Sequence, residues 1–282
     1  MREYVRGVTR RRPSPPPPSA VVTVDTGADT GVDAGAGGSA GAGADAAAMD
    51  AAASVASGRV FVLVHGIGVS SRYFERLVPA LSEEGRVFAV DLPGFGRATG
   101  RRPAHPLSID DFADTVAEAM DRAGLAEAVV VGHSMGTQVA VSLAVRRSDL
   151  VRGLALLGPV TDPSDRNALK SGMLLGVDTL RESPRGNLLV AADYLRCGPR
   201  WYLATLPAML EYPIERELEV VRVPTLVVRG ARDPIARTDW VAELARRSGG
   251  RAVTVPSVAH LVMHGAPWRT AALIAQVAEV AA

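Results

Sequence analysis

The chain has 282 residues but only one cysteine, Cys197, and one lysine, Lys170. A lone cysteine has no partner within the chain, so no intrachain disulfide holds the fold and stability must come from a core. We read Cys197 as a small buried apolar residue rather than a reactive thiol. Charge of one sign is missing as well: 31 basic side chains stand against 30 carboxylates, a formal net charge of +1. That balance offers no electrostatic footprint for nucleic acid or for an anionic membrane. The use of arginine in place of lysine, together with abundant alanine, reads as base composition and carries no functional weight. Aromatic residues are scarce at 5%, yet 48% hydrophobic and 22% charged residues is an ordinary globular composition that suits one large α/β domain. The 18-residue uncharged stretch from Ala128 to Val145 is interrupted by Gly132, His133, Ser134, Gly136, Thr137 and Gln138. It is therefore a poor membrane span.

Large apolar side chains are scarce in residues 1–58. Met1 to Arg12 carries five arginines, Pro13 to Pro18 is a proline tract, and Gly27 to Gly58 is mostly Gly, Ala, Ser and Asp. Such a composition buries too little apolar surface to fold, so this segment is expected to be disordered and of low complexity. Arg11 and Arg12 suggest a twin-arginine export signal, but no sustained apolar segment follows them, and no other targeting signal is found. The expected location is cytoplasmic. Translation from Met49 would leave a short leader before the domain.

The informative stretch is Ala128-Val129-Val130-Val131-Gly132-His133-Ser134-Met135-Gly136, a short apolar strand running into G-x-S-x-G. A serine at the tip of a strand-to-helix turn sits in strained backbone, and flanking glycines let neighbouring backbone pass where a Cβ would clash. Met135 to Arg147 has apolar residues at helical spacing, so a helix follows whose free N–H groups face the serine. The chain supplies its own control: Gly37-Gly38-Ser39-Ala40-Gly41 also fits the pattern. It has no strand before it and no amphipathic helix after it, so the structural context that gives the motif meaning is missing.

From Arg59 onward, strands and helices alternate. Val60 to Val64 is a buried strand ending in His65-Gly66-Ile67-Gly68, Arg72 to Gly85 is a helix, and Val87 to Val90 a strand turning at Asp91-Leu92-Pro93-Gly94-Phe95-Gly96. That turn lacks the G-x-G-x-x-G spacing of a dinucleotide site. Ser108 to Gly124 is a helix with Ser108 as N-cap. Further strands are expected at Val151 to Leu157, Val223 to Arg229 and Arg251 to Val255, and further helices at Trp240 to Arg247 and Pro267 to Val280. This order predicts a mostly parallel sheet covered on both faces.

With HGIG after the first strand, DLPGFGR after the next, GHSMG at the turn, and an Asp and then a His toward the C-terminus, the chain resembles the α/β-hydrolase fold superfamily over roughly four fifths of its length. The resemblance implies an α/β, doubly wound sheet formed by residues 59–161 and 219–282, with residues 162–218 inserted as a helical cap. It also implies a catalytic triad in the order Ser134, Asp233, His260.

Ser134 would be the nucleophile, which needs an adjacent base because its hydroxyl is protonated at neutral pH. Of the five histidines, His65 belongs to the first loop, His105 to a polar loop, and His133 precedes Ser134 with its side chain turned away. His260 lies just after the last strand, where the family places its base; His264, four residues on, is the alternative. The two also form H-x-x-x-H, but Leu261 stands where the zinc pattern has glutamate, so no metal is expected. Asp233, before Pro234, would orient His260, and Asp162 is the competitor one strand earlier. The backbone N–H groups of Ile67 and Met135 would form the oxyanion hole, with Gly68 the alternative to Ile67. His65, Gly66, Gly68 and, from the cap, Trp201 would contact the substrate.

The resulting expectation is a cofactor-independent serine hydrolase. It would act on a small or medium, largely apolar carboxylic ester or thioester through an acyl-enzyme, with no nucleic-acid partner and no membrane span. Carbon–carbon bond hydrolases and haloperoxidases are alternatives from the same fold, disfavoured by Thr137 after the elbow. A ligand-sensing protein that keeps the fold is the alternative from another class.

Overall fold

The computed structural model describes residues 21–25, 58–160, 162–163, 166–167, 173–174 and 177–281. Among them seven strands form one sheet: β1 (Val21–Asp25), β2 (Val60–Val64), β3 (Arg86–Asp91), β4 (Ala128–His133), β5 (Val151–Leu157), β6 (Thr225–Gly230) and β7 (Arg251–Val255). The strand order is β1-β3-β2-β4-β5-β6-β7. All pairs are parallel except β1 with β3, which is antiparallel at the edge. This strand differs from the expectation for residues 1–58. Its signal was present in the β-branched run Val21-Val22-Thr23-Val24, masked by the low-complexity sequence around it. The second G-x-S-x-G at Gly37–Gly41, the arginine pair and Met49 lie outside the described residues.

Helices α1 (Leu77–Ser82), α2 (Ile109–Arg122) and α3 (Met135–Arg146) connect the first strands, and α4 (Pro184–Cys197), α5 (Pro199–Glu211) and α6 (Ile214–Glu217) lie between β5 and β6. After β6 come α7 (Thr238–Ser248), α8 (Val262–Gly265) and α9 (Pro267–Val280). Two apolar layers follow from the alternation of side chains along the strands. Val62, Val64, Phe88, Val90 and Val130 face the layer under α2, α3 and α7, while Phe61, Leu63, Val87, Val129 and Val131 face α1 and α9. The chain is therefore doubly wound, as the resemblance implied.

Local chemistry sets the element ends. Ser108 accepts from the Asp111 N–H while Asp111 accepts from the Ser108 N–H, a reciprocal cap that starts α2 where the sequence placed it. The helix expected from Arg72 to Gly85 is split instead into a 3-10 turn, Ser71–Phe74, and the shorter α1. Pro79 is the physical reason: it has no N–H to give and its ring crowds the carbonyl four residues earlier, so it fits only the first turn of a helix. The helices between β5 and β6 are tied to the rest of the fold by polar contacts. Ser70 Oγ donates to Asp193 on α4 at 2.5 Å, Gln138 Nε2 on α3 donates to the Met209 carbonyl on α5 at 2.8 Å, and Arg102 donates to the Cys197 carbonyl at 2.6 Å. Cys197 is buried, which pushes its thiol up to about 11 and leaves it without thiolate character at neutral pH. No helix among the described residues is long and apolar enough to cross a membrane.

Candidate active site

Ser134 stands between β4 and α3 with φ 56° and ψ −123°, a conformation that L-residues rarely adopt. The flanking glycines are required by close approach rather than by their own φ. A Cβ on Gly132 would fall 2.2 Å from the Gly136 carbonyl oxygen, and one on Gly136 would fall 2.2 Å from the Val64 oxygen. The elbow is thus pressed against the end of β2. Among its neighbours Ser134 alone is partly open, and it lines a cavity of about 190 Å³.

His260 lines the same cavity. Its Nδ1 meets Asp233 Oδ2 at 2.9 Å, and its Nε2, buried, has no hydrogen-bond partner among the described residues. The Asp233 carboxylate is itself held by its other oxygen, which accepts the Ile235 N–H at 2.8 Å and the Ala236 N–H at 2.9 Å. Burial alone would raise the Asp233 carboxyl, but His260 and those two amides hold it below its ordinary value. Burial likewise pulls His260 down, yet the charge and hydrogen bond of Asp233, joined by the Asp178 and Glu182 carboxylates, push it up to about 9. Gly158, φ 54° at the end of β5, makes room for the pair: a Cβ there would lie 2.9 Å from His260 Nδ1. Asp162 also faces the cavity, but its carboxylate lies 3.8 Å from Arg237. The structure brings Asp233, not Asp162, to the imidazole. His264 is turned elsewhere, with Nε2 3.9 Å from Glu75, and His105 is exposed.

Two acidic side chains that sequence reasoning missed come from the segment between β5 and β6. Asp178 accepts the backbone His260 N–H at 3.2 Å, and Glu182 accepts the Leu261 N–H at 2.6 Å, so this segment grips the backbone that carries the imidazole. No spacing signal could have found them, because both contacts join residues about eighty positions apart.

The residues expected to contact substrate separate into two groups. Gly66 lines the cavity, and a Cβ on it would lie 2.9 Å from Ser134 Cβ and 3.3 Å from Ser134 Oγ. Ile67 lines it too. His65, Gly68 and Trp201 are not among the residues that line it. His65 is fully buried with both ring nitrogens bonded to backbone, Nδ1 to the Gly66 carbonyl at 2.8 Å and Nε2 to the Leu92 N–H at 3.0 Å. Gly68, φ 78°, lies under the Tyr194 and Tyr202 rings, where a Cβ would come within 2.5 Å of Tyr194. Trp201 packs over Gly94 and Phe95 in the core beneath the cap, because Gly94 leaves a hollow that the indole fills. The Met135 N–H heads α3 and has no acceptor within the helix. The apolar walls of the cavity come from Val69, Val160, Val190, Met209 and Leu261, and its polar rim includes Asn187, Thr179 and Tyr194.

A family model described as the alpha/beta hydrolase fold matches residues 59–193. Over 224 residues the chain is 30% identical to the pimeloyl-(acyl-carrier protein) methyl ester esterase of Neisseria meningitidis, with 70% of each chain covered. It is 32% identical over 249 residues to the lipase LipV of Mycobacterium tuberculosis, covering 77% of this chain and 93% of that one. Among solved structures, a thermophilic esterase from Thermogutta terrifontis superposes with a TM-score of 0.68 at 23% identity, over 79% of this chain and 90% of its own. These relatives are named as esterases or lipases.

Proposed function

Because the chain belongs to the alpha/beta hydrolase fold family, we propose that it is a serine hydrolase cleaving a small to medium, largely apolar carboxylic ester or thioester through an acyl-enzyme. One observation carries this reading: a buried imidazole bonded through Nδ1 to Asp233 keeps its Nε2 unpaired in the cavity that Ser134 enters. In the proposed reaction Nε2 takes the Ser134 proton as Oγ adds to the acyl carbon. Asp233 stabilises the imidazolium, and the Ile67 and Met135 N–H groups receive the oxyanion. Collapse expels the alkoxide or thiolate, which takes the proton from His260. Water then repeats both steps on the acyl-enzyme and releases the acid. The test is a pre-steady-state assay with an activated ester, expected to show a burst of about one leaving group per protein. Tight binding without a burst would favour the ligand-sensing alternative.

The protonation state of His260 sets the pH profile. The imidazole can accept the serine proton only when neutral, so with its pKa pushed up to about 9, kcat/KM should climb about tenfold per pH unit between about pH 6 and about pH 8 and level off near that value. The sign for stability is opposite. A raised histidine pKa stabilises the folded protein fully below the ordinary histidine value of 6.5, and the contribution is lost as pH rises through about 9. Asp178→Asn removes one of the carboxylates that favour the imidazolium and should move the kinetic midpoint down; a midpoint unchanged in this variant would show that the cap charge does not reach the base.

The cavity walls favour an apolar acyl chain, since Val69, Val160, Val190, Met209 and Leu261 line it. We expect kcat/KM to rise from acetyl toward hexanoyl esters, since each buried methylene contributes about 0.8 kcal/mol. Trp201→Ala should lower the melting temperature without changing the ratio between short and long esters, because the indole packs on Phe95 and not in the cavity. A profile that declines steadily from acetyl would rule out an apolar acyl site.

A further inference from the structure

Two hydrogen bonds hold Gly66 beside the nucleophile, one on each of the peptide groups it joins, and with neutral rings the proton positions follow from valence. The Gly66 N–H donates to Tyr73 Oη at 2.9 Å. The phenol hydrogen is therefore free to go to its other neighbour, His133 Nδ1, at 2.8 Å. His133 Nδ1 is then the bare nitrogen, and its Nε2–H donates to the His260 carbonyl at 3.1 Å. On the other side of Gly66, the Leu92 N–H donates to His65 Nε2 at 3.0 Å, which puts the His65 proton on Nδ1, where it donates to the Gly66 carbonyl at 2.8 Å. The Phe95 ring, edge-on to the His65 ring with centroids 5.5 Å apart, holds that imidazole in its plane.

The Gly66 carbonyl belongs to the peptide unit that joins Gly66 to Ile67. No cis peptide occurs among the described residues, and in a trans unit the carbonyl and the following N–H point in opposite directions. With the carbonyl fixed on His65, the Ile67 N–H must leave on the far side. Gly66 itself lies so close to Ser134 that a Cβ would come within 3.3 Å of Oγ, so this peptide passes directly alongside the nucleophile, and Ile67 lines the cavity. A flipped unit would break the His65 bond and present a carbonyl, not a donor, to a developing oxyanion. We propose that His65, Tyr73 and His133 are positioning residues that fix Gly66 on both sides, His65 through the carbonyl of the Gly66–Ile67 peptide and Tyr73 through the N–H of the peptide before it, so that the Ile67 N–H is aimed at the oxyanion, and that His133 ties this lock to the loop carrying His260.

The proposal rests on the serine hydrolase reading and selects Ile67 over Gly68 as the second donor. It gives His65 a task other than substrate contact and accounts for two buried histidines that the triad does not use. Burial lowers the proton affinity of both imidazoles and raises that of the Tyr73 phenol, so all three stay neutral, as the hydrogen bonds require.

The test compares the full chain with Tyr73→Phe, His65→Leu and His65→Asn, whose amide keeps a donor for the Gly66 carbonyl. Three readouts are needed: kcat and KM on a hexanoyl ester, inhibition by an alkyl boronic acid that forms a tetrahedral adduct on a serine, and inhibition by the planar hexanoate product. Wild-type turnover, and its loss in Ser134→Ala, tests the hydrolase reading on its own. Given that turnover, Tyr73→Phe and His65→Leu should lower kcat by about tenfold or more with KM within about twofold, weaken the boronate by a similar factor and leave hexanoate affinity unchanged. His65→Asn should recover most of the loss. On the wild-type protein, boronate should move the amide resonance of Ile67 and not that of Gly68. A kcat within about twofold of wild type in both variants, an equal loss of boronate and hexanoate affinity, or a response at Gly68 in place of Ile67 would each overturn the proposal.

Discussion

Ser134→Ala is expected to remove ester turnover almost completely, by about six orders of magnitude in kcat, while the protein melts within a few degrees of wild type. The size of the effect follows from the mechanism. Without Oγ there is no acyl-enzyme, and His260 has no proton to accept; what survives is the background reaction helped by binding and by the oxyanion donors. The small stability cost follows from the structure. Ser134 occupies the N-cap position of α3, yet its hydroxyl makes no capping hydrogen bond, and alanine inherits the same strained φ of 56° with the same Cβ. A steady-state assay with a fluorophosphonate label and a thermal melt measures both halves. Substantial turnover in the alanine variant would end the acyl-enzyme mechanism, whereas a collapse of the melting temperature would show that the hydroxyl is structural.

Asp233→Asn should lower kcat by about four orders of magnitude, and Asp162→Asn by no more than a few-fold. The asymmetry is one of hydrogen-bond direction. In the native site one Asp233 oxygen is committed to the Ile235 and Ala236 amides, and the other accepts from His260 Nδ1–H. An asparagine must keep its oxygen on the two amides, which turns its NH₂ toward His260. Nδ1 then becomes an acceptor and the ring proton moves to Nε2, the nitrogen that has to receive the serine proton. The variant also removes the largest influence that raises the imidazole, so its residual activity should lose the alkaline rise. Asp162 faces Arg237 and makes no hydrogen bond to His260, so its amide leaves the base untouched. Finding the larger loss in Asp162→Asn would move the acid to the end of β5 and overturn the assignment.

Much of this site was legible in the chain because its signals are local. Short runs of β-branched apolar residues make strands, helical spacing makes helices, and a serine between glycines at a strand-to-helix junction marks a strained turn within five residues. The order Ser134, Asp233, His260 came with the resemblance, since the sheet order fixes which strand ends meet. The edge strand Val21–Asp25 was missed although its β-branched run was in view, because the composition of residues around it outweighed five residues of pattern.

Side-chain direction was not legible. His65 sits in the loop where the sequence placed it, but whether its ring faces substrate or backbone is decided by Leu92, which lies 27 positions away. Trp201 has the composition of a pocket wall, and only the hollow left by Gly94 shows that the indole is spent on packing. Asp178 and Glu182 reach the His260 loop across 82 and 79 positions. The sequence by itself determined the elements, the strained serine and the residue types able to do the chemistry, because backbone sterics and burial periodicity act between near neighbours. Tertiary structure alone decided which carboxylate meets the imidazole, which carbonyl His65 holds and which ring fills which hollow, because a hydrogen bond or a packing contact is set by distance and angle between groups that the chain order keeps far apart.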